Sequence, residues 1–220
     1  AYAKVNFNLR VLPKRPDGFH DIESIFQTID LFDELKVSVC EEPGCFVTCK
    51  TFDLPQQNTL TLAYQAFCHV VETDVPGVSV ELIKGIPSGG GLGGGSSDAA
   101  ALIRVLEKIC GVKLTDQQLD YVAGKTGSDV FFFMHCDSEG KGCALVSGRG
   151  EYVENITPRT DLLLLLIFPN ISSSTKEAYA LVDEQLSKEM KNKYPSLKEL
   201  EGIYLDTPSN WTFKNTFTHI

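Results

Sequence analysis

The stretch Ile86-Pro87-Ser88-Gly89-Gly90-Gly91-Leu92-Gly93-Gly94-Gly95-Ser96-Ser97-Asp98 limits what this chain can become more than any other. Six of the seven residues from 89 to 95 are glycine, so almost no Cβ interrupts the loop and its N–H groups are able to converge on one anion. Downstream, Ala99, Leu102, Ile103, Leu106, Ile109 and Cys110 fall on one helical face, which predicts an amphipathic helix with Ser96 or Ser97 as N-cap and Gly111 as terminator. Upstream, Val78, Val80 and Leu82 alternate with Ser79, Glu81 and Ile83 as in a half-buried strand. Strand, glycine loop, helix is an order that turns a positive helix end toward whatever the loop holds, and it reads as a phosphate site. A flexible linker is the bland alternative, but linkers are polar on both flanks and this loop joins two patterned elements. A Walker A loop needs Gly-Lys-Ser/Thr, and Gly95 is followed by Ser96. A dinucleotide-binding unit needs a second buried strand ending in an acid about 20 residues on; after Gly111 only Val112-Lys113-Leu114 precedes a new helix cap.

Charge narrows the partners. The 220 residues carry a formal charge of -9 with a pI near 4.9, which excludes the clustered Lys and Arg that nucleic-acid binding runs on. At 43% hydrophobic the chain supplies a core for one large domain or two modest ones. Seven cysteines, an odd number without CxxC spacing, fit reduced thiols in a cytosol-like compartment. Cys45-x-x-x-Cys49 and His135-Cys136 with Cys143 lack a four-ligand pattern, so no metal site of the protein's own is expected. No signal peptide opens the sequence and Leu162 to Phe168 is too short for a bilayer, so the expected setting is cytoplasmic, away from membranes.

From Tyr2 to Leu12 apolar and polar residues alternate, predicting a strand in which Lys4 and Asn6 share a face. Spacing alone reads that face as a solvated outer one sooner than as a functional one. Pro13 to Gly18 is a turn by composition, and further strands are expected over Ile22 to Ile29 and Leu35 to Val39, with a turn at Asp30 to Asp33. Asn58 or Thr59 caps a helix carrying Leu60, Ala63, Tyr64, Phe67 and Val70, and Thr115 to Gln118 has the spacing of a capping box. Asp129 stands just ahead of the apolar run Val130 to Met134; a helix cap and a catalytic base are both consistent with that position. Strand Cys143 to Val146 follows, then a seam near Pro158, and the continuous apolar run Leu162 to Ile167 reads as a strand buried on both faces. Ser172 to Thr175 is expected to cap a helix containing Tyr179, Leu181 and Val182, and beyond Lys188 the chain is charged and less patterned.

Three blocks together resemble the GHMP kinases: Ala3-Lys4-Val5-Asn6 with Asp17-Gly18-Phe19-His20; Pro87 through Ser97 with Asp98-Ala99-Ala100; and Gly127-Ser128-Asp129-Val130. Within that family the chain is most similar to members that phosphorylate a hydroxyl of a cytidine diphosphate-linked polyol. The resemblance implies an α+β, two-domain fold, with an ATP-binding domain over 1–157 and a partial C-terminal domain over 158–220, and an active site in the cleft between domains. It implies Asp129 as base and Lys4 as its partner. It assigns ATP, with Mg²⁺, to Pro87, Ser88, Gly89, Gly90, Gly91, Leu92, Gly93, Gly94, Gly95, Ser96 and Ser97, with Asn58 and Lys84 near adenine. It assigns the cytidine end to His20, bracketed by Phe19 and Tyr179, and the diphosphate or sugar to Asn6 and Thr175. Phe131 stands where the family usually has proline, and no late glycine–serine loop occurs between Tyr179 and Ile220, from which a trimmed or divergent C-terminal part is expected. The expected assembly is a monomer or homodimer, in cytoplasm or plastid stroma. The competing expectations are a GHMP kinase for a mevalonate-, homoserine- or galactose-type alcohol, and a nucleotide-binding module without catalysis.

Overall fold

The computed structural model describes residues 1–51, 53–168, 175–186 and 194–219, apart from the side chains of Thr175, Lys176, Gln185, Leu186 and His219. The chain packs as two compact units, one of Ala1–Lys4 with Thr28–Lys141 and one of Val5–Gln27 with Gly142–Ile220. These units interleave along the sequence, whereas the expected family domains divide it once near 157; compactness and family domain are different divisions.

The first unit is built on a three-stranded sheet. Strands β3 (Glu34–Cys40) and β4 (Cys45–Cys49) flank β5 (Gly77–Ile83), β3 antiparallel and β4 parallel to it. Helix α1 (Thr59–Val70) connects the two parallel strands, as such a pair requires. Its cap is Asn58, whose Oδ1 accepts from the amides of Leu60 and Thr61 while Thr61 Oγ1 accepts from the Asn58 amide. Helices α2 (Gly94–Cys110), α3 (Asp116–Thr126) and α4 (Asp129–His135) complete the unit, α1 packing on α2 and α3, and α2 on α4. The α3 capping box, Thr115 with Gln118, is present as expected. Leu60, Phe67, Val78, Val80, Leu102, Ile103, Leu106 and Phe132 are among its fully buried side chains.

In the second unit β6 (Cys143–Gly148) pairs antiparallel with β7 (Tyr152–Ile156) and with the Ile22–Gln27 part of β2 (His20–Phe32), beyond which lies β1 (Tyr2–Lys14). Helices α5 (Thr175–Leu186) and α6 (Leu197–Leu205) follow. Leu200 and Tyr204 of α6 are wholly buried against Ile25, Cys143 and Leu145.

Several expectations are corrected. Helix α2 starts at Gly94 with Gly93 as N-cap, so Ser96 and Ser97 lie inside its first turn. β2 continues through Phe32, and the turn narrows to Asp33. Lys4 is not on a solvated face; it is 6% exposed. The run Leu162 to Ile167 forms no strand, and Leu163, Leu165 and Ile167 are 99%, 86% and 79% exposed. Among the described residues no strand pairs with it, and apolar composition buries a segment only where a neighbour covers it. The expected cap Ser172 to Ser174 lies outside the described residues.

Candidate active site

In the first unit the glycine loop hangs from the end of β5 and closes onto the N-terminus of α2. Two backbone bonds anchor it: the Lys4 amide donates to Leu92 O at 2.9 Å, and the Ser97 amide donates to Gly93 O at 2.9 Å. Gly93 has φ +71 and sits so tightly that an added Cβ would stand 3.0 Å from Phe133 Cε2 and 3.1 Å from Lys4 Cγ. Gly89 and Gly91, with φ of +77 and +69, face open space instead. The loop thus divides into a tip able to admit a ligand and a base where backbone must approach packed side chains.

Lys4 Nζ lies 3.4 Å from Asp129 Oδ2, and the two side chains are 7% and 29% exposed. Asp129 is the first residue of α4, whose next four residues are all buried. Ser96 lies against Gly127, just before it: a Cβ on Gly127 would meet Ser96 Oγ at 3.2 Å. An amine, a carboxylate and the loop backbone are therefore neighbours in one rigid corner. Ser97 is buried in the first turn of α2.

Beneath the loop lies a second charged group. Lys84 Nζ pairs with Asp33 and, at 3.2 Å, with Asp98 Oδ2. Asp33 Oδ1 also accepts from the amides of Gly85 and Ile86 at 2.7 and 2.8 Å. A Cβ on Gly94 would stand 3.2 Å from Lys84 Nζ and 3.4 Å from Asp33 Oδ2, so this cluster directly underlies the first residue of α2. Burial pushes the Asp98 carboxyl up to about 7, against the pull of Lys84. Burial disfavours the Lys84 ammonium, but its hydrogen bond to Asp33 and the charge of Asp98 outweigh that and raise its pKa.

In the second unit His20 is held at both nitrogens, with Nδ1 2.8 Å from Leu12 O and Nε2 3.2 Å from Asp183 Oδ1. Its ring lies 5.3 Å from that of Tyr179, which meets Phe217 edge-on at 5.2 Å. Phe19 is 53% exposed, with the Arg149 guanidinium 5.1 Å over its ring. Asn6 Nδ2 donates to Ser24 Oγ at 3.1 Å. The structure thus brings His20 and Tyr179 together; the Thr175 side chain lies outside the described residues.

The GHMP kinases N-terminal domain model matches residues 58–137, which span α1 to the end of α4. A curated relative from Thermotoga maritima, named 4-diphosphocytidyl-2-C-methyl-D-erythritol kinase, is 42% identical over 207 residues, 94% of this chain and 71% of that protein. The chain belongs to the 4-diphosphocytidyl-2-C-methyl-D-erythritol kinase family. A relative of the same name from Treponema pallidum is 44% identical over 184 residues, and the chain spans 61% of its length. A crystal structure titled 4-(cytidine 5'-diphospho)-2C-methyl-D-erythritol kinase superposes with a TM-score of 0.71 at 28% identity, covering 100% of this chain and 75% of that one. Mevalonate kinase from Methanococcus jannaschii, at 15% identity and TM-score 0.55, shares the fold. The chain thus shares the GHMP kinase fold as well as belonging to the family.

Sequence reasoning missed Asp33 and Asp98, the two acids around Lys84. Asp98 was visible as an acid inside the predicted apolar face of a helix, a position that demands a buried partner. Asp33 carried no such signal. The cysteines are all free thiols, and burial pushes those of Cys45 and Cys143 up to about 11. Among the described residues no helix is long and apolar enough to cross a membrane.

Proposed function

We propose that this chain carries out the reaction its relatives are named for: ATP-dependent phosphorylation of the 2-hydroxyl of 4-(cytidine 5'-diphospho)-2-C-methyl-D-erythritol, a step of the non-mevalonate isoprenoid route. The observation that carries the reading is the 3.4 Å Lys4–Asp129 pair, joined to the glycine loop through the Lys4 amide. Asp129 takes the proton from the attacking hydroxyl. Lys4 orients that carboxylate and offsets charge on the moving phosphoryl group. The amides of the loop tip and the α2 N-terminus hold the β- and γ-phosphates. The Ser96 hydroxyl, at the N-terminal turn of α2 beside Gly127, would help hold a Mg²⁺, which would neutralise charge on the nucleotide. Asn58 serves the adenine end, whereas Lys84, expected there as well, is engaged by Asp33 and Asp98 beneath the loop. In the second unit His20 and Tyr179 are assigned to the cytosine, Phe19 to its other face, and Asn6 and Thr175 to the diphosphate or sugar. Cytoplasm is the proposed setting.

A coupled ADP-release assay tests the reading, with the cytidine-bearing acceptor compared against mevalonate, homoserine and galactose. ADP release is expected only with the cytidine-bearing acceptor. Release with a bare alcohol reassigns the substrate, and calorimetric ATP binding with no release for any acceptor makes the chain a nucleotide-binding module.

A further inference from the structure

Phosphoryl transfer asks little covalent chemistry of a protein and much positioning, so whatever fixes the base relative to the phosphates bears directly on rate. Asp129 sits at the start of α4, a helix of only 7 residues. So short a helix is marginal by itself, and the carbonyls of its last turn have no intrahelical partners. Cys136 Sγ donates to Phe132 O, and one charged side chain serves the carbonyls that follow. Arg104, on α2, places Nη2 2.8 Å from Phe133 O, 3.3 Å from Met134 O and 2.7 Å from Cys136 O, while Nη1 donates to Asp137 O. A planar cation with several fixed donors suits a fan of carbonyls, and a positive charge at a helix C-terminus complements the helix dipole.

Arg104 grows from the same helix that opens at Gly94 out of the glycine loop. The N-terminus of α2 touches the other end of α4's segment, through Ser96 against Gly127, two residues before Asp129, while its cap Gly93 packs on Phe133. Both ends of α4 are therefore referred to one rigid element, the helix that continues the phosphate loop. We infer that Arg104 is a positioning residue for phosphoryl transfer: its guanidinium clamps the C-terminal end of α4 to α2 and so fixes the Asp129 carboxylate relative to the loop. The inference rests on the reading of Asp129 as the base.

Arg104→Lys keeps charge and stem but cannot span four carbonyls, and Arg104→Ala removes the clamp. Both are assayed for ADP release well below their melting temperatures, with and without added methylguanidinium, and by amide hydrogen exchange. The expected result for Arg104→Ala is a kcat lowered about 10- to 100-fold with KM for ATP within about twofold, since the loop itself is intact. Methylguanidinium restores part of that loss, Arg104→Lys falls between, and exchange in both variants accelerates over residues 129–135 while α2 keeps its protection. An unchanged kcat, or a loss that tracks only the unfolded fraction and ignores methylguanidinium, overturns the inference. Asp129→Asn run in parallel separates the two claims. Retained turnover in that variant defeats the base assignment, whereas lost turnover there with an unaffected Arg104→Ala defeats only the clamp.

Discussion

Replacing Asp98 by Asn tests the electrostatics under the phosphate loop. Two carboxylates share the single Lys84 ammonium, and their surroundings differ sharply. Asp33 accepts two backbone N–H bonds besides the ion pair, whereas Asp98 Oδ1 is buried without a hydrogen-bond partner. Burial, with its side chain 3% exposed, pushes the Asp98 pKa up to about 7 against an ordinary 3.8, so below about pH 7 Asp98 carries a proton. A carboxyl with a raised folded-state pKa binds its proton more tightly when folded, so between pH 4 and 7 the unfolded chain releases a proton that the folded chain keeps. Stability from this group is thus full below about pH 4 and is lost as pH climbs through 7. Three pH units at about 1.4 kcal/mol each give a loss of about 4 kcal/mol across the window. Asn is neutral at every pH and nearly isosteric, so Asp98→Asn removes the slope. Urea unfolding of both proteins at pH 5, 6, 7 and 8 reads the difference directly, because all other titrations cancel. The variant's stability relative to the parent should rise by about 1.4 kcal/mol per unit between pH 5 and 6 and level off above 8. Parallel stability curves, separated by a constant amount, would refute a protonated Asp98.

Three further substitutions probe the corner around the loop. Asp129→Asn should lower turnover at least about 100-fold while calorimetric ATP affinity stays within about twofold, as expected of a lost base. Gly93→Ala forces a side chain into a φ of +71 and onto Phe133 and Lys4; urea unfolding should show a loss of about 2 kcal/mol, and KM for ATP should rise. Asn58→Ala removes the α1 cap and should reduce stability by about 1 kcal/mol. If Asn58 also serves adenine, KM for ATP rises with it, and an unchanged KM leaves Asn58 as a cap only.

Local signals were legible and distant ones were not. The α1 and α3 caps, β5 and the glycine loop could all be read because each is written within a few consecutive residues. Helix α6 was equally legible and went unread: Ser196 with Glu199 forms a capping box, and Leu197, Leu200 and Tyr204 share the face that is buried. Strand β4 is only 5 residues long, too short for alternation to stand out between turns. The face of Lys4 looked like an outer one, yet Lys4, and Asn8 four residues on, are buried because partners far along the chain receive them, Asp129 for Lys4, and Glu23 O with the Lys214 amide for Asn8. The Asp33–Lys84 contact spans 51 residues, and no periodicity announces a pairing at that range. Leu162 to Ile167 fails in the opposite sense, since composition promised burial that only neighbouring strands can provide.

Two lysine–aspartate pairs lie on either side of the same loop, and only one is suited to chemistry. A strongly perturbed acid is the usual signpost of a reacting group, and here that signpost points to Asp98. Yet Asp98 is buried beneath the start of α2, with its Oδ2 on the Lys84 ammonium that Asp33 shares. Such a cluster supports backbone; no hydroxyl can reach it. Asp129 differs in the respect that matters to a base, since 29% of its side chain meets solvent while Lys4 holds the other side at 3.4 Å. In the proposed mechanism, accessibility beside the loop, and not the size of the perturbation, is what selects Asp129 as the base. The same comparison explains why the loop has glycine at both 93 and 94: one close approach admits Lys4 and Phe133, the other Lys84 and Asp33.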